Sequence, residues 1–400
     1  SVNTMKNQAG GSGNRMDRRA LVRRHHPVIR CVDPLAPLSV GNGTFAFTVD
    51  ITGLQTFPEA YREGIPLGTQ SQWGWHTLPN PAHYTIQNAL AMWNSQGRQV
   101  PYASTTQSDA GRWLRANPHR LGLARIGFEF SKDDGSPAGL DEVGAIEQTL
   151  DLWNGVLTSR FEVAGHAVGV WTCCHPDRDL IAVSVESSLI AAGRLKVCFA
   201  FPYGSGGNRD QTDDWTHPEC HQTKIIERGA DGIALRRTLD QDSYFVNIGH
   251  SGGCSFTRMD PHRYDLLPGR GRTGFSFTAG FSPPPIVSER PSAERTRQAC
   301  ETHWNRFWST GGAMDLSDSR DPRAPELERR IVLSQYLTAI QCSGFLPPQE
   351  TGLVFNSWHG KFHLEMHWWH GVHFAFWDRL PLFERSLSWY ASIMPRARET

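Results

Sequence analysis

The stretch IEQTLDLWNGVLTSRFEVAGHAVGVWTCCHPDRDLIAVSV, residues 146–185, decides the fold class. Residues 146–153 and 156–163 are rich in β-branched and aromatic side chains, and Asn154-Gly155 between them is a hairpin turn signal. A second turn at Gly165 leads into 167–173, and after His175-Pro176-Asp177 the apolar run 180–185 follows. Three reversals within forty residues predict an antiparallel meander.

Outward from there the same texture continues. Phe45, Phe47 and Val49 alternate with Ala46 and Thr48 after the turn Gly41-Asn42-Gly43, and Ile126, Phe128 and Phe130 alternate likewise. Further strands are expected at 195–201, 223–227, 233–239, 244–248 and 273–281, with long polar loops at 132–140, 204–218 and 261–271. So many short strands, with 38 Gly and 25 Pro, predict a large antiparallel β super-sandwich over residues 31–288. Residues 1–30 read as a flexible lead, a small polar stretch followed by the solvated basic residues Arg18, Arg19, Arg23, Arg24, His25 and His26.

At Pro283-Pro284-Pro285 the period changes. A helical linker is expected over 289–320, its helix at 292–308. A stronger helix follows Asp321-Pro322-Arg323, with Leu327, Ile331, Ser334, Leu337 and Ile340 on one face, Pro325 and Glu326 in its first turn, and Pro347-Pro348 beyond its end. A last helix is expected over 385–398. Residues 321–400 thus form a helical region too short to close an α-domain by itself.

Composition excludes some functions. Forty basic side chains balance 40 acidic ones, so no basic face advertises nucleic-acid binding, and no apolar run approaches the ~20 residues of a membrane span. The eight cysteines are scattered, without zinc-ribbon or disulfide-scaffold spacing, and read as buried apolar fillers. No signal peptide is visible, and the compartment stays open. Gly-x-Ser-x-Gly and phosphate-cradling glycine loops are absent.

The candidate chemistry lies in NSWHGKFHLEMHWWHGVHFAFWD, residues 356–378, where five His, Lys361, Glu365 and Asp378 stand among Trp and Phe. Aromatic faces beside hydrogen-bonding tips suit a pyranose, which offers C–H faces for stacking and hydroxyls at its edge. Trp358 and Trp368 are the expected stacking residues; Lys361, His363, Glu365 and His367 are the expected hydroxyl contacts. A second aromatic loop, TQSQWGWHTLPNP at 69–81, carries Trp73, Trp75 and His76, expected to reach across and help line the pocket. His363, His367 and His370 at i, i+4, i+7 leave a metal-dependent hydrolase as a rival, but Glu365 is misplaced for the His-Glu-x-x-His arrangement. No metal and no cofactor is expected.

These segments resemble a known group. VGNGTFAF at 40–47 is similar to the strand opening of inverting α-glycosidases and phosphorylases such as glycoside hydrolase family 65. PRAPELERRIVLSQYLTAIQ at 322–341 resembles their first barrel helix, and FERSLSWYASIMPRARE at 383–399 the next one. GKFHLEMHWW at 360–369 sits where that family has a Gly-His-x-x-Trp-Asp-Thr-Glu segment binding the non-reducing-end sugar, with Glu365 in place of the Asp and His367 in place of the Glu. The resemblance implies a six-hairpin glycosidase: the super-sandwich, a helical linker, and at 321–400 the first helices of an (α/α)6 barrel. It implies inverting hydrolysis of an α-linked, gluco-configured oligosaccharide or glycoconjugate, with general acid and base on later barrel helices beyond residue 400. Open alternatives are a non-catalytic carbohydrate-binding or scaffold protein and a disaccharide phosphorylase. The expected partner is the sugar substrate; a homo-oligomer is compatible, nucleic acid and membrane span are not.

Overall fold

The structure, a computed structural model, describes residues 16–103, 108–209, 212–251, 253–285 and 290–399. The expected polar stretch at the start lies outside the described residues.

The meander forms as read. Strands Val143–Asp151, Val156–Val163, His166–Cys174 and Leu180–Ser187 pair antiparallel in sequence order. They continue through Gly274–Ser282, Asp242–His250, Gly232–Leu239 and His221–Gly229, and Val28–Ile29 pairs on the outer edge of Val143–Asp151 to complete a nine-stranded sheet. A four-stranded sheet, Ser255–Asp260, Arg263–Leu267, Leu195–Ala200 and Arg125–Phe130 in spatial order, packs on it. Phe130 meets Phe161 and Phe199 meets Phe277 edge to face across the interface, an arrangement aromatic rings favour. The architecture is mainly antiparallel β, a sandwich followed by helices.

One expected loop is a strand. Residues 263–267 run between two partners in the smaller sheet. The alternation there is broken by Asp265, which is fully buried because Lys196 at 2.6 Å and Arg263 at 3.0 Å neutralise it. A charge is stable in a sheet interior only when paired in this way. The hairpin Leu90–Ser95 with Arg98–Ala103 and the helix Asp109–Ala116 were not foreseen.

Strand Phe45–Val49 is buried at all five positions rather than alternately, because it is covered on both faces. Phe45 stacks on Phe281 on one side. On the other comes helix Ala324–Gln341, so close that the Gly43 amide donates to the Ile340 carbonyl at 2.8 Å. A Cβ on Gly41 would fall 2.7 Å from the same oxygen, which accounts for that glycine. Asn42 closes the turn: its Oδ1 accepts from the Thr44 and Phe45 amides, and its Nδ2 donates to the Arg178 carbonyl.

That helix turns mostly a different face inward from the one expected. Of the expected residues Ile340 is buried, but Leu327 and Leu337 are exposed, while Glu328, Val332, Gln335, Tyr336 and Ala339 are buried. Specific partners pull the polar residues in. Glu328 receives Arg24 and His25 at 2.9 and 2.6 Å, Gln335 receives Arg379, and the Tyr336 hydroxyl donates to the Ser39 carbonyl at 3.1 Å. Apolar periodicity cannot register a face chosen by paired polar groups.

The same contacts correct the reading of the basic patch. Residues 16–26 pack against the body: Leu21 and Val22 are buried, and Arg18 donates to the carbonyls of Trp308, Thr310 and Gly311 at the end of helix Ala293–Ser309, where the carbonyl dipoles favour a cation. The final helix runs Leu380–Ala397, starting earlier than expected because Pro381 suits a first turn. All eight cysteines are free; Cys31 and Cys220 are exposed, Cys198 half-buried and five buried. Among the described residues no helix is long and apolar enough to cross a membrane.

Candidate functional site

The two aromatic segments meet at the seam between sandwich and helices, and Arg120 joins them. Strand Trp75–His76 pairs with His119–Arg120 in the register Trp75 to Arg120 and His76 to His119. Side chains directly opposite across a ladder are neighbours, so the Arg120 guanidinium lies 4.0 Å from the Trp75 ring centre, a cation–π distance. Its terminal nitrogens donate to the Ser71 carbonyl on the sandwich side and to Gln349 Oε1 and the Gly360 carbonyl on the other. Burial pushes the Arg120 guanidinium down to about 9.

His76 is fully buried. Its Nδ1 lies 3.1 Å from His119 Nε2 and its Nε2 2.9 Å from Asp240, while the Tyr203 hydroxyl donates to the same carboxylate. Burial, then the His76 charge, holds His119 down at about 3. This loop therefore anchors the seam through Trp75 and His76, and His76 has no surface to offer a ligand. Trp73 points elsewhere, to a cavity on the sandwich.

Across the seam, Trp358, His359 and Gly360 have φ of +52°, +59° and +74°. Two consecutive non-glycine residues in the left-handed region cost of order 1–3 kcal/mol each, so something must hold them. The His359 amide donates to the Asn208 carbonyl at 2.9 Å and its Nδ1 sits 3.2 Å from the Gly206 carbonyl. The Lys361 ammonium then donates to the carbonyls of Leu114, Arg115 and Asn117 at 2.6–3.2 Å, capping helix Asp109–Ala116. These bonds use all three of its N–H groups, and burial followed by nearby Arg115 lowers its pKa. Lys361 thus positions the loop.

The strained turn presents Trp358, 45% exposed, with Arg115 5.3 Å from its ring and His363 edge-on at 5.8 Å. Neither buried ring nitrogen of His363 has a hydrogen-bond partner. Glu365 and Trp368 are exposed nearby in sequence. His367 is sealed in: Nδ1 lies 2.7 Å from the Tyr390 hydroxyl and Nε2 2.8 Å from Ser386 Oγ, and burial lowers its pKa. His370 instead reaches the Glu350 carbonyl. His363, His367 and His370 do not share one α-helical face, because residues His367–Gly371 form a π-turn. Among the described residues no three His, Cys, Asp or Glu side chains converge as metal ligands.

Buried polar atoms without partners concentrate along this seam: Gln70 Oε1, Arg120 Nε, Gln341 Oε1, Gln349 Nε2 and Asn356 Oδ1, besides those of His363. Unmatched buried groups in a native fold mark places where something else completes the bonding. The two cavities inside the seam are small, about 60 Å³ beside Gln70, Asp213 and Asn356 and about 20 Å³ beside Arg120, Gln341 and Gln349. Spaces of that size admit water, not a sugar ring. Sequence reasoning missed Arg120 and Gln349, which no motif marks; their polarity inside an apolar context was the only signal.

No protein-family model matches the chain, and no curated protein does. Solved structures do resemble it. One, provisionally assigned as a kojibiose phosphorylase from the human microbiome, is 11% identical, with a TM-score of 0.53 over 84% of this chain and 44% of that one. Another, a family GH92 alpha-mannosidase from Bacteroides thetaiotaomicron, is 9% identical, with a TM-score of 0.30 over 80% of this chain and 40% of that one. The chain spans less than half the length of either structure. The first likeness shows a shared fold.

Proposed function

We propose that this chain is the sandwich-bearing part of a glycoside-processing enzyme, with residues from 321 onward opening an (α/α)6 barrel. The observation that carries this reading is the rim of the seam: a strained turn fixes an exposed Trp358, with the Glu365 carboxylate and Trp368 exposed nearby in sequence. An aromatic face next to unengaged hydrogen-bonding groups is what a sugar ring requires. The fold likeness to the phosphorylase supports it as analogy, since fold by itself does not fix function.

The proposed substrate is an α-linked, gluco-configured oligosaccharide or glycoconjugate. Trp358 and Trp368 stack on it, and His363 and Glu365 meet its hydroxyls; Lys361, His367, Trp75 and His76 hold the surface in place. The proposed reaction is inverting hydrolysis, which needs two carboxyl groups roughly 6.5–9.5 Å apart with a water between them. No pair here is assigned those roles. Phosphorolysis is the second reading, favoured by the description of the protein of TM-score 0.53.

The test is incubation of the protein with kojibiose, nigerose, maltose and trehalose, with and without inorganic phosphate. Glucose formed without phosphate supports hydrolysis, and glucose 1-phosphate formed only with phosphate supports the second reading. Binding without turnover supports a carbohydrate-binding protein. Absence of both turnover and binding overturns the proposal.

A further inference from the structure

A cavity of about 360 Å³ opens on the sandwich, lined by Trp73, Leu180, Asn247, Phe281, Arg290 and Pro291 among others, and by none of residues 356–378. That volume lies within the range of small-ligand sites.

The chemistry of its wall is constrained by bonds already made. Trp73 Nε1, the one polar atom of the indole, donates to Asp179 Oδ2 at 2.7 Å, so the rest of the ring can offer the cavity only carbon. Leu180, Phe281, Pro283 and Pro291 add to that apolar surface. The Asp179 carboxylate also lines the cavity, but it accepts from Thr44 Oγ1 and Ser71 Oγ, each at 2.6 Å, from Trp73, and from Asn42 Nδ2 at 3.3 Å. Its four lone-pair positions are taken.

Asn247 is different. Its Oδ1 accepts from Arg290 Nε, while its Nδ2 has no hydrogen-bond partner among the described residues, and the residue is 9% exposed. Thr278 and Ser282 donate their hydroxyl protons to the carbonyls of Pro291 and Pro284, so their oxygens are free to accept. The wall therefore combines a carbon surface with one unengaged donor and two hydroxyl acceptors.

Charge decides between a neutral and an anionic occupant. The Arg178 and Arg290 guanidiniums and the Asp179 carboxylate line the cavity, and Arg290 is paired with Glu227 at 2.8 Å and lies 3.8 Å from Asp231. Among the described residues that balance gives no excess positive charge to select an anion. A purely apolar guest would leave Asn247 Nδ2 unmet, which is costly at a buried site.

We infer that this cavity binds a single neutral sugar ring, with its C–H groups against Trp73 and Phe281 and a hydroxyl oxygen accepting from Asn247 Nδ2. The site is independent of the reaction proposed above, and of the Trp358 rim.

The experiment is saturation-transfer NMR of the whole chain with methyl α-glucoside, methyl α-mannoside and methyl β-galactoside at ~50 mM, where millimolar affinities are visible. Three variants are compared after their thermal melting has been checked: Ser282→Phe, which adds a ring to the lining; Asn247→Asp, which keeps the acceptor for Arg290 and removes the donor; and Trp358→Ala. The expected result is ring-proton signal from at least one glycoside, weakened about tenfold by Ser282→Phe and by Asn247→Asp, and kept in Trp358→Ala. No signal from any glycoside in the wild type overturns the inference. So does a signal that both sandwich substitutions leave intact, or one that only Trp358→Ala removes. If Ser282→Phe fails to fold, the isosteric Asn247→Asp decides alone.

Discussion

A Cβ on Gly360 would stand 2.4 Å from the Cβ of Arg120, so the strained turn of the helical segment is seated against the arginine that carries the Trp75 contact. Sandwich and helices meet here backbone against side chain, with no room for a methyl group. The φ of +74° at Gly360 is a second demand for glycine.

Gly360→Ala is therefore expected to destabilise the chain by about 2 kcal/mol or more, since it combines left-handed strain with a clash. Urea denaturation of the two proteins checks this. An unchanged midpoint would show that the turn can relax away from Arg120.

Lys361→Met separates positioning from contact. Its ammonium is committed to three carbonyls, and leaving them unmet should cost about 1–3 kcal/mol of stability. Because no N–H of Lys361 is left for a ligand, disaccharide affinity at saturating folded protein should change less than for Trp358→Ala. A larger loss of affinity than of stability would put Lys361 on the ligand.

Glu365→Ala tests the exposed carboxylate. It has no structural partner to lose, so the melting temperature should stay put while kcat/KM of the proposed glycoside-processing enzyme on its accepted disaccharide falls at least tenfold, or ~1.4 kcal/mol. Unchanged kinetics would remove Glu365 from the site.

Glu328→Gln tests the anchoring of the N-terminal residues. The carboxylate binds Arg24, His25 and the Leu316 amide, and removing its charge leaves the Arg24 guanidinium and the His25 ring poorly matched at a buried position. A loss of about 3 kcal/mol is expected, with faster proteolysis around Arg18–Arg24 as the second readout. Equal stability and equal cleavage would mean that Arg18, Leu21 and Val22 hold residues 16–26 without Glu328.

Stability should also fall in mild acid. His119 and His221 are held at about 3, His119 by burial and then His76, and His221 by burial and then Arg237, against 6.5 when unfolded. The folded pKa is depressed, so below pH 6.5 the unfolded chain binds more protons than the folded one. Their contribution is whole above pH 6.5 and is lost progressively towards pH 3. Denaturation midpoints across pH 4.5–8 should be flat at the top and decline below about 6.5, with a shallower decline in His119→Asn. A midpoint independent of pH would contradict the buried neutral histidines.

The meander and most of the sandwich were legible because their signals are local. Asn154-Gly155 is a strong short-range hairpin signal, and runs such as 180–185 are too short for a helix and rich in β-branched side chains. The turn at Gly41-Asn42-Gly43 was legible as a turn, but its reason, a helix passing at hydrogen-bond distance from residue 43, was not. Strand Arg263–Leu267 was missed because Asp265 interrupts the alternation, and its neutralising partner Lys196 is remote in sequence.

The candidate site divides in the same way. That Trp358 and His363 belong to one surface follows from their neighbourhood in the chain, and the structure puts Lys361 and His367 behind that surface rather than on it. Nothing local distinguishes a lysine that caps a helix from one that meets a ligand: the difference is the position of residues 114–117, set by the fold of the sandwich.

By itself, then, the sequence determined where strands give way to helices and where aromatic and titratable side chains crowd together, since period and composition act over a few residues. Only the tertiary structure decided which of those side chains are spent on the fold. A polar atom's role depends on whether a partner lies within about 3 Å, and for Arg120, Glu328, Asp265 and Lys361 that partner comes from elsewhere in the chain.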